Sequence, residues 1–154
     1  MAACLLVCAA SLPANAGERQ PISTIVFGVA NSSPVELGMD GQVVTVTTEE
    51  IVVSTALDGS HPLQNMSGRC GGSVETKDGI SRGRGFCVYT NPEGGKWTMS
   101  FDLGPDHDGA SGAFELSGVE GNAAGWKGRG KWGQTVQFGR NRFVQRWTGW
   151  IEKP

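Results

Sequence analysis

The chain has 154 residues, of which 24 are glycine, with 38% hydrophobic and 18% charged residues and a net charge of −2. That length fits one domain able to bury a core without a metal staple, and the glycines lack the period of collagen. No window of eleven or more residues sustains a helical period, so the fold class is all-β.

Residues 1–16 read as a signal peptide. Ala2 to Leu12 form a short apolar run, Pro13 breaks it, and Ala14-Asn15-Ala16 places small residues where a signal peptidase reads, with cleavage before Gly17. No Lys or Arg precedes the run, and the start of translation could lie upstream of Met1. The run is well below the ~20 apolar residues that span a bilayer, so no membrane span is expected. The mature chain, 17–154, is then a single domain exported to the periplasm or the extracellular space.

Strand-like runs follow at intervals of roughly ten residues, the spacing of a barrel or sandwich. They are Thr24–Val29, Gln42–Thr48, Ile51–Leu57, Met66–Glu75, Ser81–Thr90, Lys96–Leu103, Gly112–Ser117, Ala123–Trp132 and Arg142–Ile151. Residues 30–39 read as a loop. Asp40-Gly41, Asp58-Gly59, Asp78-Gly79, Asn91-Pro92-Glu93-Gly94-Gly95 and the segment 104–109 carry turn chemistry. Trp97, Met99, Phe101 and Leu103 alternate with Lys96, Thr98, Ser100 and Asp102. Ala124, Trp126, Gly128, Gly130 and Trp132 alternate with Lys127, Arg129 and Lys131. A period of two with one apolar face is a half-buried antiparallel strand, and the paired glycines suggest strong curvature.

Cys4 and Cys8 leave with the signal, so the mature chain keeps Cys70 and Cys87. An even pair in an oxidising compartment is expected to bond. The geometry agrees: a two-residue type I′ turn at Asp78-Gly79 pairs Lys77 with Ile80. Counting outward, Cys70 falls opposite Cys87 on a non-hydrogen-bonded pair, where Cα atoms approach to ~4.5 Å, within disulfide reach.

No catalytic site is assigned. Glu75, Glu115, His61, His107 and Tyr89 are available for acid–base work, but spacing brings none of them together, and no Gly-x-Ser-x-Gly elbow occurs. His61, before Pro62, reads as a solvated loop residue, and Glu115 points outward if Phe114 and Leu116 point in. Asp102, Asp106, His107 and Asp108 crowd one turn but lack the spaced ligands of a calcium loop, so no metal and no cofactor are expected. Charge is uneven: −5 over residues 17–68, −3 over 69–120 and +6 over 121–154. In an exported protein this reads as basic strands closing against acidic ones, not as a nucleic-acid surface, and it leaves an anionic cell-envelope polymer as a partner to consider.

The stretch Leu116-Ser117-Gly118-Val119-Glu120-Gly121-Asn122-Ala123-Ala124-Gly125-Trp126-Lys127-Gly128-Arg129-Gly130 resembles the glycine-rich element of allene-oxide-cyclase-like and dirigent-like β-barrels, nearest to exported bacterial proteins of that type. Gly85-Phe86-Cys87 followed by Asn91-Pro92-Glu93-Gly94-Gly95-Lys96 is similar to their Gly-x-Cys and acidic turn, with Asn91 and Gly95 replacing acids. The resemblance covers about residues 66–132 and implies a fold; no residue of the plant enzymes' catalytic set is placed here.

The expected fold is an eight-stranded, up-and-down antiparallel barrel, calycin-like, with one disulfide; a β-sandwich is the alternative. Nine runs for eight strands imply that one early run is a bend or an extension. The expected function is binding of a small apolar molecule or a partner, without catalysis. The alternatives are an isomerase or cyclase that confines its substrate in the barrel, and a purely structural envelope protein. A ligand inside the barrel would be lined by Trp97, Phe101, Phe114, Trp126 and Trp132, with Gly128 and Gly130 leaving space; otherwise the same rings fill the core. The sequence leaves the oligomeric state open.

Overall fold

Asp78 adopts φ 52°, the left-handed conformation that a type I′ turn demands, and Lys77 pairs with Ile80 across it. The register then runs without a slip to Cys70 opposite Cys87, whose Cα atoms are 4.0 Å apart and whose sulfurs are bonded. The structure, a computed structural model, describes residues 17, 19–38, 41–53, 61–78, 80–103 and 111–153, with backbone alone at 32–38, 41–53, 81 and 134. The signal segment 1–16 and the turn residues Asp106, His107 and Asp108 lie outside the described residues.

Among the described residues eight strands make the fold: β1 Arg19–Gly38, β2 Gly41–Val53, β3 Ser67–Lys77, β4 Ile80–Thr90, β5 Lys96–Leu103, β6 Gly112–Glu120, β7 Lys127–Phe138 and β8 Arg142–Glu152. Each is antiparallel to its neighbours, and β1 pairs with both β2 and β8, so the sheet closes into an up-and-down barrel. The sandwich alternative falls, because a sandwich would leave this ring open. No helix among the described residues is long and apolar enough to cross a membrane.

Three boundaries depart from the sequence reading. Residues 30–38, expected as a loop, continue β1. Their Asn, Ser and Pro residues favour turns, but the ladder to β2 from Ala30↔Thr48 to Glu36↔Gln42 overrides that preference. Pro34 is tolerated because β1 pairs with β8 only as far as Val29, leaving an edge beyond it. Two predicted runs, Gln42–Thr48 and Ile51–Leu57, merge in β2 as far as it is described, which reduces nine runs to eight. The run expected at Ala123–Trp132 begins instead with a 3-10 turn at Gly121–Ala123, and β7 continues past Trp132 to Phe138 through a bulge.

The core lies inside the barrel. Ile22, Val26, Tyr89, Trp97, Met99, Phe114, Leu116, Trp147 and Ile151 are buried on inward-facing strand positions, with the disulfide among them. Lys127, Arg129 and Lys131 are exposed on the opposite phase of β7, as alternation requires. One end of the barrel is plugged by Leu63, Met66 and Ala123. Asn91 ties that end together: its Oδ1 accepts the Gly95 N–H at 2.6 Å, and its Nδ2 donates to Pro62 O and Asn122 Oδ1, both at 3.1 Å.

Candidate functional site on the outer wall

The five residues expected to line an interior site all meet in one cluster. Trp97 and Phe114 are buried within it, while Phe101, Trp126 and Trp132 pack partly buried against it. The Phe114 ring lies 4.9 Å from Trp147, which meets Tyr89 edge-on at 6.0 Å. Tyr89 Oη donates to Cys70 Sγ at 3.4 Å, since a disulfide sulfur carries no proton.

The inward glycines have a role different from the expected one. A Cβ on Gly85 would stand 2.3 Å from Phe101 Cζ, and one on Gly130 would stand 2.6 Å from Phe114 Cζ. At Gly128 it would meet Trp150 O at 2.5 Å and Ile151 Cγ2 at 2.6 Å. The volume released by each missing side chain is occupied by a neighbouring residue, so these glycines seat core groups and open no space for a ligand. Among the described residues the buried indole N–H groups of Trp97 and Trp147 find no acceptor.

The outer wall is less closely filled. A groove of about 690 Å³ crosses β5, β6, β7 and β8. Register partners build it as two lateral rows. One row is Ser100, Glu115, Arg129 and Trp150, and the next is Asp102, Ala113, Lys131 and Thr148. Short side chains at Ser100, Ala113 and Thr148 keep the floor low. Trp150 supplies one wall, with the Arg19 guanidinium 4.2 Å and the Arg129 guanidinium 5.2 Å from its ring centre. Arg19 is held by Glu152 at 2.7 Å, and Asp102 Oδ1 accepts the Ala113 N–H at 3.3 Å. The first row extends beyond the groove to Phe86, which is 51% exposed and pairs with Ser100. An aromatic side chain therefore stands towards each end, with two acids and two bases between.

The acid–base candidates do not assemble. Glu75 and Glu115 are exposed on β3 and β6, and Tyr89 is in the core. His61 is half-buried, and its Nδ1 accepts the Leu63 N–H at 3.3 Å, so it fastens the plug loop instead of standing free in solvent. Among the described residues no three His, Cys, Asp or Glu side chains group as metal ligands.

Of the five expected lining residues, Phe101 and Phe114 border this groove from the inward phase; sequence reasoning missed its outward-phase residues, which on any single strand look merely solvated. Only the register of four strands shows that Ser100, Glu115, Arg129 and Trp150 stand side by side. Neither models of known protein families nor the curated proteins yield a match to this chain.

Proposed function

We propose that this protein is an exported, non-catalytic binding barrel that takes an anionic polymer of the cell envelope on its outer wall. The observation that carries this reading is the groove itself: Arg129 and Lys131 stand one row apart on β7 beside the Trp150 ring, with hydroxyls from Ser100 and Thr148 and the carboxylates of Glu115 and Asp102 in the same rows. Cations with an aromatic wall suit sugar rings bearing carboxylates or phosphates, which gain a stacking surface and charge-assisted hydrogen bonds together. The disulfide is compatible with an oxidising compartment. Kinship with allene-oxide-cyclase-like barrels remains part of the proposal, and an up-and-down barrel is the topology it implies.

Affinity electrophoresis in gels containing polygalacturonate, with dextran as the neutral control, tests the proposal. Retardation by polygalacturonate alone is expected, and Arg129→Ala combined with Lys131→Ala should weaken it about ten-fold, the loss of ~1.4 kcal/mol from charge-assisted contacts. Unaltered mobility of the parent protein would overturn it.

One observation favours a second reading, a small ligand inside the barrel. The indole N–H groups of Trp97 and Trp147 find no acceptor among the described residues, and a ligand carrying an acceptor atom would complete them. Uptake of an apolar fluorescent probe that quenches tryptophan emission, and that survives the groove substitutions, would select this reading over the first.

A further inference from the structure

A second surface stands apart from the groove and does not depend on it. Towards the β7–β8 turn the outer wall exposes large apolar side chains that the barrel does not need: Val136 is 59% exposed, Phe138 44%, Phe27 41% and Val29 36%. They are contiguous. Val136 pairs with Val144 and Val144 with Phe27, while Phe138 pairs with Arg142 and Arg142 with Val29. Two adjacent lateral rows across β7, β8 and β1 thus form one patch with an arginine set inside it.

The charge around the patch is of one sign on the β7–β8 side. Residues 121–151 hold six Lys or Arg and no Asp or Glu; Arg140 and Arg142 are exposed at the turn, and Arg146 is exposed further along β8. Among the described residues an acid enters from β2, where Glu49 takes the register position next to Val29. A second copy of the chain docked symmetrically here would bring its own arginines against these, which opposes self-association. A surface that combines anionic groups with an apolar layer just beneath them meets both features at once.

We propose that this patch is a peripheral docking surface for an anionic lipid bilayer. Phe138 and Val136 enter the headgroup boundary while Arg140 and Arg142 contact lipid phosphates. The site crosses nothing and needs no rearrangement of the barrel, because the participating side chains already face solvent.

Vesicle co-sedimentation of the oxidised protein tests it, with vesicles of equal parts phosphatidylglycerol and phosphatidylcholine against vesicles of phosphatidylcholine alone. Binding to the anionic vesicles should exceed binding to neutral ones by about ten-fold or more and fall steeply with added salt. Arg140→Ser with Arg142→Ser should reduce it about ten-fold or more, as should Val136→Ser with Phe138→Ser, with circular dichroism unchanged. If a double variant fails to fold, the parent protein decides the matter: equal binding to both vesicle types, or none to either, overturns the proposal. Sedimentation that instead shows a dimer lost on Phe138→Ser also overturns it and assigns the patch to a second copy.

Discussion

At the scale of single residues, fit against the neighbouring strand decides which glycines can change. Gly71 and Gly85 sit on adjacent strands, yet a Cβ on Gly71 would meet nothing within 4 Å, whereas one on Gly85 would stand 2.3 Å from Phe101 Cζ and 2.5 Å from Gly71 O. Gly71 faces outward and Gly85 faces the core. Gly71→Ala should therefore leave stability unchanged or raise it by up to ~1 kcal/mol through the unfolded chain. Gly85→Ala should cost ~1–3 kcal/mol by overpacking, because the carbonyl behind it cannot rotate away as a side chain could. Urea titrations of the two variants provide the comparison, and equal midpoints would show that Phe101 is not seated against Gly85. The same reasoning makes Gly128→Leu a destabilising change. For Trp97 and Trp147 the buried N–H groups are a cost the core carries, since a buried donor without an acceptor is worth ~1–3 kcal/mol of lost solvation.

At the scale of elements, the β4–β5 turn, the plug loop and the 3-10 turn depend on one buried side chain. Asn91→Ala removes three hydrogen bonds at once, and at ~1 kcal/mol each the variant should lose about 3 kcal/mol. Hydrogen exchange should show the loss concentrated at residues 61–66 and 121–125, and a change spread evenly over the barrel would refute this local role. The turn itself was legible in Asn91-Pro92-Glu93-Gly94-Gly95, but the clamp was not, since Pro62 and Asn122 lie about thirty residues away on either side. The disulfide was legible for the opposite reason: a two-residue turn fixes the register, so pairing became arithmetic. The inward phase of Trp97, Met99 and Phe101 was legible because an eight-residue strand with one wet face has little choice. The extension of β1 over residues 30–38 was hidden, as its only cause is a partner strand. The alternation from Ala124 to Trp132 misled at its start: Gly121 and Gly125, at φ 62° and 86°, break the strand that the apolar pattern suggested.

At the scale of the whole molecule, closure is the long-range event. The seam joins Arg19–Val29 to Arg142–Glu152, partners as far as 133 residues apart, and folding dominated by such contacts is slow, in the range of milliseconds to seconds. A seam that forms after the local hairpins carries low weight in the transition state. Ile151→Ala, at a fully buried seam position, should thus cost ~2–5 kcal/mol, expressed mainly as faster unfolding with the folding arm of the chevron nearly unmoved. A matching slowdown of folding would place the seam in the nucleus instead. The ring also fixes where the chain enters and leaves: Arg19 and Glu152 are register partners joined by a salt bridge. Tension applied through those two points would not load the seam in shear, where all its hydrogen bonds resist together. It would pull the pair apart sideways, breaking one rung at a time from Arg19↔Glu152 inward, as a zip opens. A barrel tethered by its two ends would be mechanically soft however stable it is at rest, and the hairpin stapled by Cys70–Cys87 would be the part that tension could not unravel.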